Sequence, residues 1–343
     1  MLAVRYTGYG SPPELVDMPS PVCPDDGAVV DVLATGVCRS DWHAWRGHEP
    51  VSLPHVPGHE LAGVITQIGS DVTDFVVGDR VTTPFVNGCG SCPLCRAGNA
   101  QVCPNQTQPG FTHHGSFAEQ VALFAADTNL VRLPAELDPV VAASLDCRFA
   151  TAYRAVTAHA RVGDGDRVVV FGCGGVGLSA IQIALALGAQ VVAVDVSATA
   201  RQRAENLGAV AVAVDRVTER VIELTDGGAD VAIDALGSAA IAQAGVLALR
   251  RRGRYVQVGL MFGPDARAPL PWDRVVAYEL EVYGSHGMAA RDYPAMLALV
   301  SDGVLRPQEL VGRVISLAEA PAALMALDSP APPTAGMTVI EVS

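Results

Sequence analysis

The segment from Arg167 to Asp195 constrains the fold more than any other. An apolar run, Arg167–Phe171, leads straight into Gly172-Cys173-Gly174-Gly175-Val176-Gly177. A helical pattern over Val176–Leu187 follows, and then a second apolar run, Gln190–Asp195. Strand, glycine turn, helix and strand in this order predict a βαβ unit of a parallel sheet. In the G-x-G-x-x-G pattern Gly172 permits the tight turn, Gly174 lets backbone approach a pyrophosphate, and Gly177 lets helix pack close to strand. The helix start at Gly175 and Val176 points amides and the positive end of a dipole at phosphate. Asp195 falls about 20 residues on, where a carboxylate accepts hydrogen bonds from the adenosine ribose hydroxyls. Its charge repels a 2′-phosphate and favours NAD. No arginine immediately follows it, and Arg201 and Arg203 either face solvent or help hold a phosphate, so NADP is the lesser alternative. The plainer readings are a structural βαβ turn for the glycines and a helix-capping acid for Asp195.

Around this unit the chain changes character twice. Residues 1–150 are rich in Pro, Gly, Cys and His, with short β-like runs at Ala28–Leu33, Leu61–Ile68 and Phe117–Leu123. They predict a compact β-rich domain with functional loops. Residues 151–285 alternate strand and helix. Beyond the βαβ unit come a helix at Ala200–Leu207 and strands at Val212–Val214, Asp230–Asp234, Arg254–Gly259 and Leu280–Tyr283. Such alternation implies an α/β, doubly wound parallel sheet covered on both faces. Residues 286–343 offer one helix, Asp292–Ser301, and a last strand, Met337–Val342. They are too few for a domain and are expected to return to the first.

A net charge of -13, from 36 acidic and 23 basic residues without a basic run, argues against nucleic-acid binding. No stretch reaches the roughly 18 uninterrupted apolar residues of a membrane span. The start, MLAVRYTGYG, reads as a strand and not as an export signal, which points to the reducing cytoplasm. There clustered cysteines bind metal more often than they pair. Four of the eight cysteines occur as Cys89-x2-Cys92-x2-Cys95-x7-Cys103, in a lobe of about residues 86–106. Four thiolates at that spacing suit one tetrahedral zinc with no open position, hence a structural ion. Cys23 reads as a plain thiol, and Cys173 lies within the glycine turn, where a small side chain packs well. Cys38 and Cys147 remain, with His59 in Gly58-His59-Glu60. Cys, His and Cys with one open position make a catalytic zinc site, although spacing alone does not join these three.

Taken together, Cys38-Arg39-Ser40-Asp41, Gly58-His59-Glu60, the four-cysteine lobe, Asp146-Cys147 and Gly172–Gly177 with Asp195 make the chain resemble a known family over nearly its whole length. It is similar to zinc-dependent alcohol dehydrogenases of the medium-chain dehydrogenase/reductase family. That resemblance implies a GroES-like catalytic domain beside a Rossmann NAD-binding domain, and two zinc ions per chain, one catalytic and one structural. By the same resemblance Cys38, His59 and Cys147 hold the catalytic zinc, and Glu60 approaches it in some members. Asp41 orients the ligand histidine. Ser40 takes the alcohol proton, His43 passes it on by way of the nicotinamide ribose, and Arg39 binds pyrophosphate. The implied reaction is reversible hydride transfer between a zinc-bound alkoxide and NAD, giving an aldehyde or ketone. A homodimer or homotetramer is also implied.

Phe85, Trp45 and the His48-Glu49 pair fall where this family builds its alcohol cleft, and the tryptophans also suit a core. The remaining histidines, His48 included, read by default as surface residues. A basic residue that relatives carry before the last strand is missing from Ala335-Gly336-Met337-Thr338. Many polyol, sugar and amino-alcohol dehydrogenases carry a carboxylate where Cys147 stands, so the cysteine favours simple alcohols. Those polyol enzymes are the first alternative. Zinc-free quinone reductases and non-enzymatic dinucleotide-binding proteins are the more distant ones.

Overall fold

The computed structural model describes residues 1–329 and 336–342. Ala335 therefore lies outside the described residues. The chain forms two compact units, one of Met1–Ala150, Gly287–Gly303 and Pro307–Ser343, the other of Thr151–His286 and Val304–Arg306.

The first unit begins with an antiparallel pair, β1 (Leu2–Arg5) and β2 (Glu14–Asp17). Its centre is β3 (Ala28–Val37), ten residues of which all but two are buried. The helix α1 (Arg39–Trp45) follows at once, and then β4 (Leu61–Ile68), β5 (Arg80–Thr82), β6 (Gln120–Leu123) and β7 (Val131–Arg132). β3 and β4 are antiparallel, with Ala28 opposite Ile68 and Thr35 opposite Leu61. The end of β3 and the start of β4 therefore share one end of the ladder. Cys38 leaves β3 there and His59-Glu60 enters β4 there. β-Branched and aromatic residues fill the core beneath, among them Val30, Val32, Ile65, Val81, Val121 and Phe117. A fully buried side chain of this kind contributes about 1.5–3 kcal/mol, so this core stabilises the sheet whose end carries Cys38 and His59.

The second unit is a six-stranded sheet of β8 (Arg167–Phe171), β9 (Gln190–Val194), β10 (Val210–Val212), β11 (Ala229–Asp234), β12 (Leu249–Gln257) and β13 (Glu281–Gly284). The spatial order is β10-β9-β8-β11-β12-β13, with every pair parallel. This is the doubly wound order, with its reversal beside β8. All six residues of β11 are buried, as expected of a strand covered on both faces. The helix α2 (Gly175–Ala186) buries Leu178, Ile181 and Ile183. Two further strands, β14 (Val311–Ser316) and β15 (Met337–Glu341), extend the sheet of the first unit, where β15 lies antiparallel to the Ala34–Val37 half of β3.

Two local expectations fail. The strand expected at Val212–Val214 lies at Val210–Val212, because pairing with β9 starts at Val210↔Val192 and leaves Val214 exposed. Cys147, which Asp146-Cys147-Arg148 suggests at the start of a helix, does not open one. The helix begins at Pro139, capped by Asp138, and widens to a π-helical turn over Leu145–Ala150 that contains Cys147. Such widened turns often sit at functional sites. Among the described residues no helix is long and apolar enough to cross a membrane.

Candidate active site and metal centres

Cys38 caps α1. Its backbone N–H donates to Asp41 Oδ2 at 2.9 Å, which starts the helix directly off the end of β3. The other carboxylate oxygen of Asp41 accepts from Gly58 N at 3.0 Å and lies 2.8 Å from His59 Nδ1. One buried carboxylate thus ties α1 to the turn before β4. Because Asp41 engages Nδ1, His59 is left with Nε2 for any ligand. That atom is fully buried and has no hydrogen-bond partner, an arrangement that costs stability unless something fills it.

One ligand atom from each of Cys38, His59, Glu60 and Cys147 lies within 4.8 Å of all the others. The sequence candidates for the open metal site therefore meet in space, 109 residues apart at their extremes. The adjacent Cys147 thiol, then the imidazole of His59, pull the Cys38 thiol well below its usual range, while Cys38 and burial push the Cys147 thiol up. Burial lowers His59, but Asp41 and Cys38 outweigh it and hold the imidazole well above its ordinary value. A divalent cation at this point replaces the shared protons and ionises both thiols. The residues fit zinc: two soft sulfurs, one imidazole nitrogen and a fourth position without a committed donor.

Glu60 is within reach of that position, yet both of its oxygens are engaged by Arg148. Arg148 N and Nε donate to Oε1 at 3.2 and 2.9 Å, and Nη2 to Oε2. Burial raises the Glu60 carboxyl and the Arg148 charge opposes that rise. A Cβ at Gly36 would stand 2.1 Å from Glu60 Oε2, so glycine is required where β3 passes the pair. Arg148 had no part in the sequence reading; an arginine directly after a candidate ligand cysteine is the signal that was there to use. Asp146, on the other side of Cys147, accepts from Leu61 N at 2.5 Å and from Thr82 Oγ1, which pins the widened turn to β4 and β5.

The other predicted residues fall on or near α1. Ser40 Oγ lies 3.8 Å from Cys38 Sγ. His43 is one turn further along the same helix face. Burial, and then the charges of His48 and Arg39, push the His43 imidazole down to about 4, so at neutral pH it is an uncharged base. Its Nδ1 lies 2.9 Å from Nδ1 of His48, which is on the surface as the sequence suggests. His55 departs from that default. It is 1% exposed and packs edge-on against Tyr6. Trp45 is core, 2% exposed, with its indole N–H donating to Ser11 O. Arg39 stacks over Trp42 and donates to Leu327 O at 2.6 Å.

Within the second unit the glycine turn follows β8 at the reversal of strand order. Gly172 takes a φ of +94°, and a Cβ on Gly177 would stand 1.7 Å from Gly172 O. Around the Cβ position of Gly174 there is open space, and no side chain caps the start of α2. Uncapped amides over an open glycine fit a pyrophosphate. Val176 lies in the first turn of α2. Asp195, just past β9, accepts from Cys173 N at 2.7 Å and from Ser197 N at 2.8 Å, so its carboxylate is held beside the turn.

The remaining four cysteines, Cys89, Cys92, Cys95 and Cys103, likewise have sulfurs within 4.8 Å of one another. Cys92 caps the short helix Pro93–Arg96 by accepting from Cys95 N at 3.4 Å, and Cys103 accepts from Cys89 N and Asn105 N. Ser91 pulls the Cys89 thiol down to about 6, whereas burial and its thiol neighbours push Cys95 up to about 12. All four ionise together only around a cation.

The sequence of residues 24–135 matches the model of the alcohol dehydrogenase GroES-like domain, and residues 175–302 match that of the zinc-binding dehydrogenase. A sorbitol dehydrogenase of Halalkalibacterium halodurans is 34% identical over 311 residues, 88% of this chain and 89% of that protein. The chain belongs to the zinc-dependent alcohol dehydrogenases of the medium-chain dehydrogenase/reductase family. An alcohol dehydrogenase of Geobacillus stearothermophilus is likewise 34% identical, over 86% of each chain. The solved alcohol dehydrogenase TADH from Thermus sp. ATN1 superposes with a TM-score of 0.92 at 30% identity, covering all of both chains. Family members are zinc-binding oxidoreductases, and the GroES-like and Rossmann architecture described above is theirs.

Within this family member the four-thiolate lobe carries its own expectation. Cys92→Ser is expected to lower the melting temperature by several degrees and to release about one zinc per chain, since structural zinc contributes directly to folding. Metal analysis and thermal melting on the same sample check it. Unchanged melting with unchanged zinc would remove the structural role.

Proposed function

We propose that this chain oxidises an alcohol to an aldehyde or ketone, reversibly, with NAD as the hydride acceptor and two zinc ions per chain. The observation that carries the reading is the orphaned, buried Nε2 of His59 in reach of Cys38 and Cys147. Those three residues hold the catalytic zinc, and Cys89, Cys92, Cys95 and Cys103 hold the structural one. When bound, the catalytic zinc supplies Lewis acidity that makes an alcohol acidic near neutral pH, and the nicotinamide supplies the hydride acceptor.

The rest is done by the chain's own groups. Asp41 fixes the ring of His59 through Nδ1, a recurrent support for a ligand histidine. Arg148 engages both oxygens of Glu60, which holds that carboxylate back from the fourth position. Ser40, two residues from Cys38, takes the proton of the substrate hydroxyl. His43, uncharged at neutral pH, is the base that carries the proton onward. Gly172, Gly174, Gly175, Val176 and Gly177 give the backbone turn for a pyrophosphate, with Arg39 as a further cation for it. The carboxylate of Asp195 binds the adenosine ribose hydroxyls and repels a 2′-phosphate. In this reading the enzyme works in the cytoplasm. It assembles as a homodimer or homotetramer through β13, an edge strand with Val282 exposed.

A second reading, a polyol or sugar dehydrogenase, is favoured by the similarity to the sorbitol dehydrogenase. A panel of primary, secondary and aromatic alcohols and polyols, each with NAD and with NADP, separates the two. Simple alcohols with NAD are expected to give the highest kcat/KM. Preference for sorbitol-like polyols would establish the second reading, and preference for NADP would overturn the role of Asp195.

A further inference from the structure

His43 and His48 face each other through their Nδ1 atoms at 2.9 Å. The chain is folded back to make this contact. Gly47 takes a φ of +75° and His48 N donates to His43 O at 2.9 Å, so the residue after the helix returns over it. Trp42 packs edge-on against both rings, with centroids 4.9 and 5.2 Å away. Trp42 is itself fixed, because its indole N–H donates to Asp328 at 2.7 Å while Arg46 binds the same carboxylate. His43 is half-buried, whereas His48 is exposed to solvent.

Two ring nitrogens in hydrogen-bond contact need one N–H and one lone pair between them. The contact therefore couples the two rings: one carries its proton on Nδ1 and the other on Nε2. We propose that His48 is a positioning residue: its Nδ1 accepts the Nδ1–H of His43 and so keeps Nε2 of His43 as the proton acceptor. His48 touches neither substrate nor cofactor in this role. It does for His43 what the orienting acid does for the histidine of a hydrolase triad, with a neutral acceptor in place of a carboxylate. The assignment rests on the proposed alcohol dehydrogenase reading, in which His43 is a base.

Ring nitrogen NMR on histidine-labelled, zinc-loaded enzyme without cofactor reads the tautomer of His43 directly, with or without turnover. The wild type is expected to show His43 protonated at Nδ1. His48→Phe, which keeps a ring against Trp42 but removes the acceptor, is expected to shift it to Nε2–H. The same variant is expected to lose about tenfold in kcat with little change in KM, part of the ~10²–10⁴-fold a positioned base supplies. His48→Gln, which retains an acceptor, is expected to recover part of that loss. His43 protonated at Nε2 in the wild type, or a His48→Phe enzyme with wild-type kcat, would overturn the proposal. If the wild type oxidises no alcohol, the underlying reading fails. The NMR result then still shows whether the contact sets the tautomer.

Discussion

Replacing His59 with alanine is expected to abolish alcohol oxidation, by about 10³-fold or more, while the nucleotide site still binds NADH. The magnitude follows from losing Lewis-acid stabilisation worth several kcal/mol, at 1.36 kcal/mol per tenfold. Removing the imidazole takes away a ligand donor whose free nitrogen is buried without a partner, and it leaves Asp41 facing a void. Bound zinc is expected to fall by about one ion per chain, because the four-thiolate site is separate. Cys38→Ser is expected to act the same way. Activity assay, NADH titration by fluorescence and metal analysis on one preparation check all three statements. A His59→Ala enzyme with near-normal kcat would remove His59 from the site.

Arg148→Leu is expected to destabilise the first unit by about 3–5 kcal/mol, the range for stranding one partner of a buried ion pair. Glu60 is fully buried, and Arg148 supplies every hydrogen bond described for its carboxylate. Adding Glu60→Gln to Arg148→Leu is expected to recover part of the loss, since an amide needs no counter-charge. The pH dependence has a definite sign. Burial already raises Glu60, and without Arg148 it rises further. A carboxyl raised in the folded state costs nothing below its unfolded pKa of about 4.3, and its cost grows as pH climbs from there to the folded value. The stability gap between Arg148→Leu and the double variant is therefore expected to widen with rising pH across that window. Chemical denaturation at several pH values measures it. A gap independent of pH would mean that Glu60 is not the stranded charge.

Residues beside regular elements were the legible ones. Cys38 and His59 stand at the two ends that β3 and β4 bring together, and apolar runs mark both strands. The glycine turn is legible because only a strand before it and a helix after it give the motif meaning. Cys147 was harder. Asp146-Cys147-Arg148 reads as the start of an ordinary helix, and nothing local announces a widened turn. The turn is held by Asp146 on β4 and β5 and by Arg148 on Glu60, contacts 64 to 88 residues apart in sequence. His48 is on the surface as read, but its pairing was illegible for a related reason. Its partner is only five residues away, but they meet through the left-handed Gly47, which periodicity does not register. The Val210 strand was placed two residues late because Ala-Val alternation fits either register and only pairing with β9 decides.

The central claim is direct hydride transfer between an alcohol and NAD at the Cys38/His59/Cys147 site. Its sharpest test is to oxidise the best alcohol of the panel, deuterated at the carbinol carbon, with NAD in ordinary water and to locate the label by mass spectrometry and NMR. One deuterium per turnover at C4 of the nicotinamide is the predicted result, lost together with turnover in His59→Ala. Deuterium released to water, or no reduced nicotinamide from any alcohol with the zinc-loaded enzyme, would contradict it.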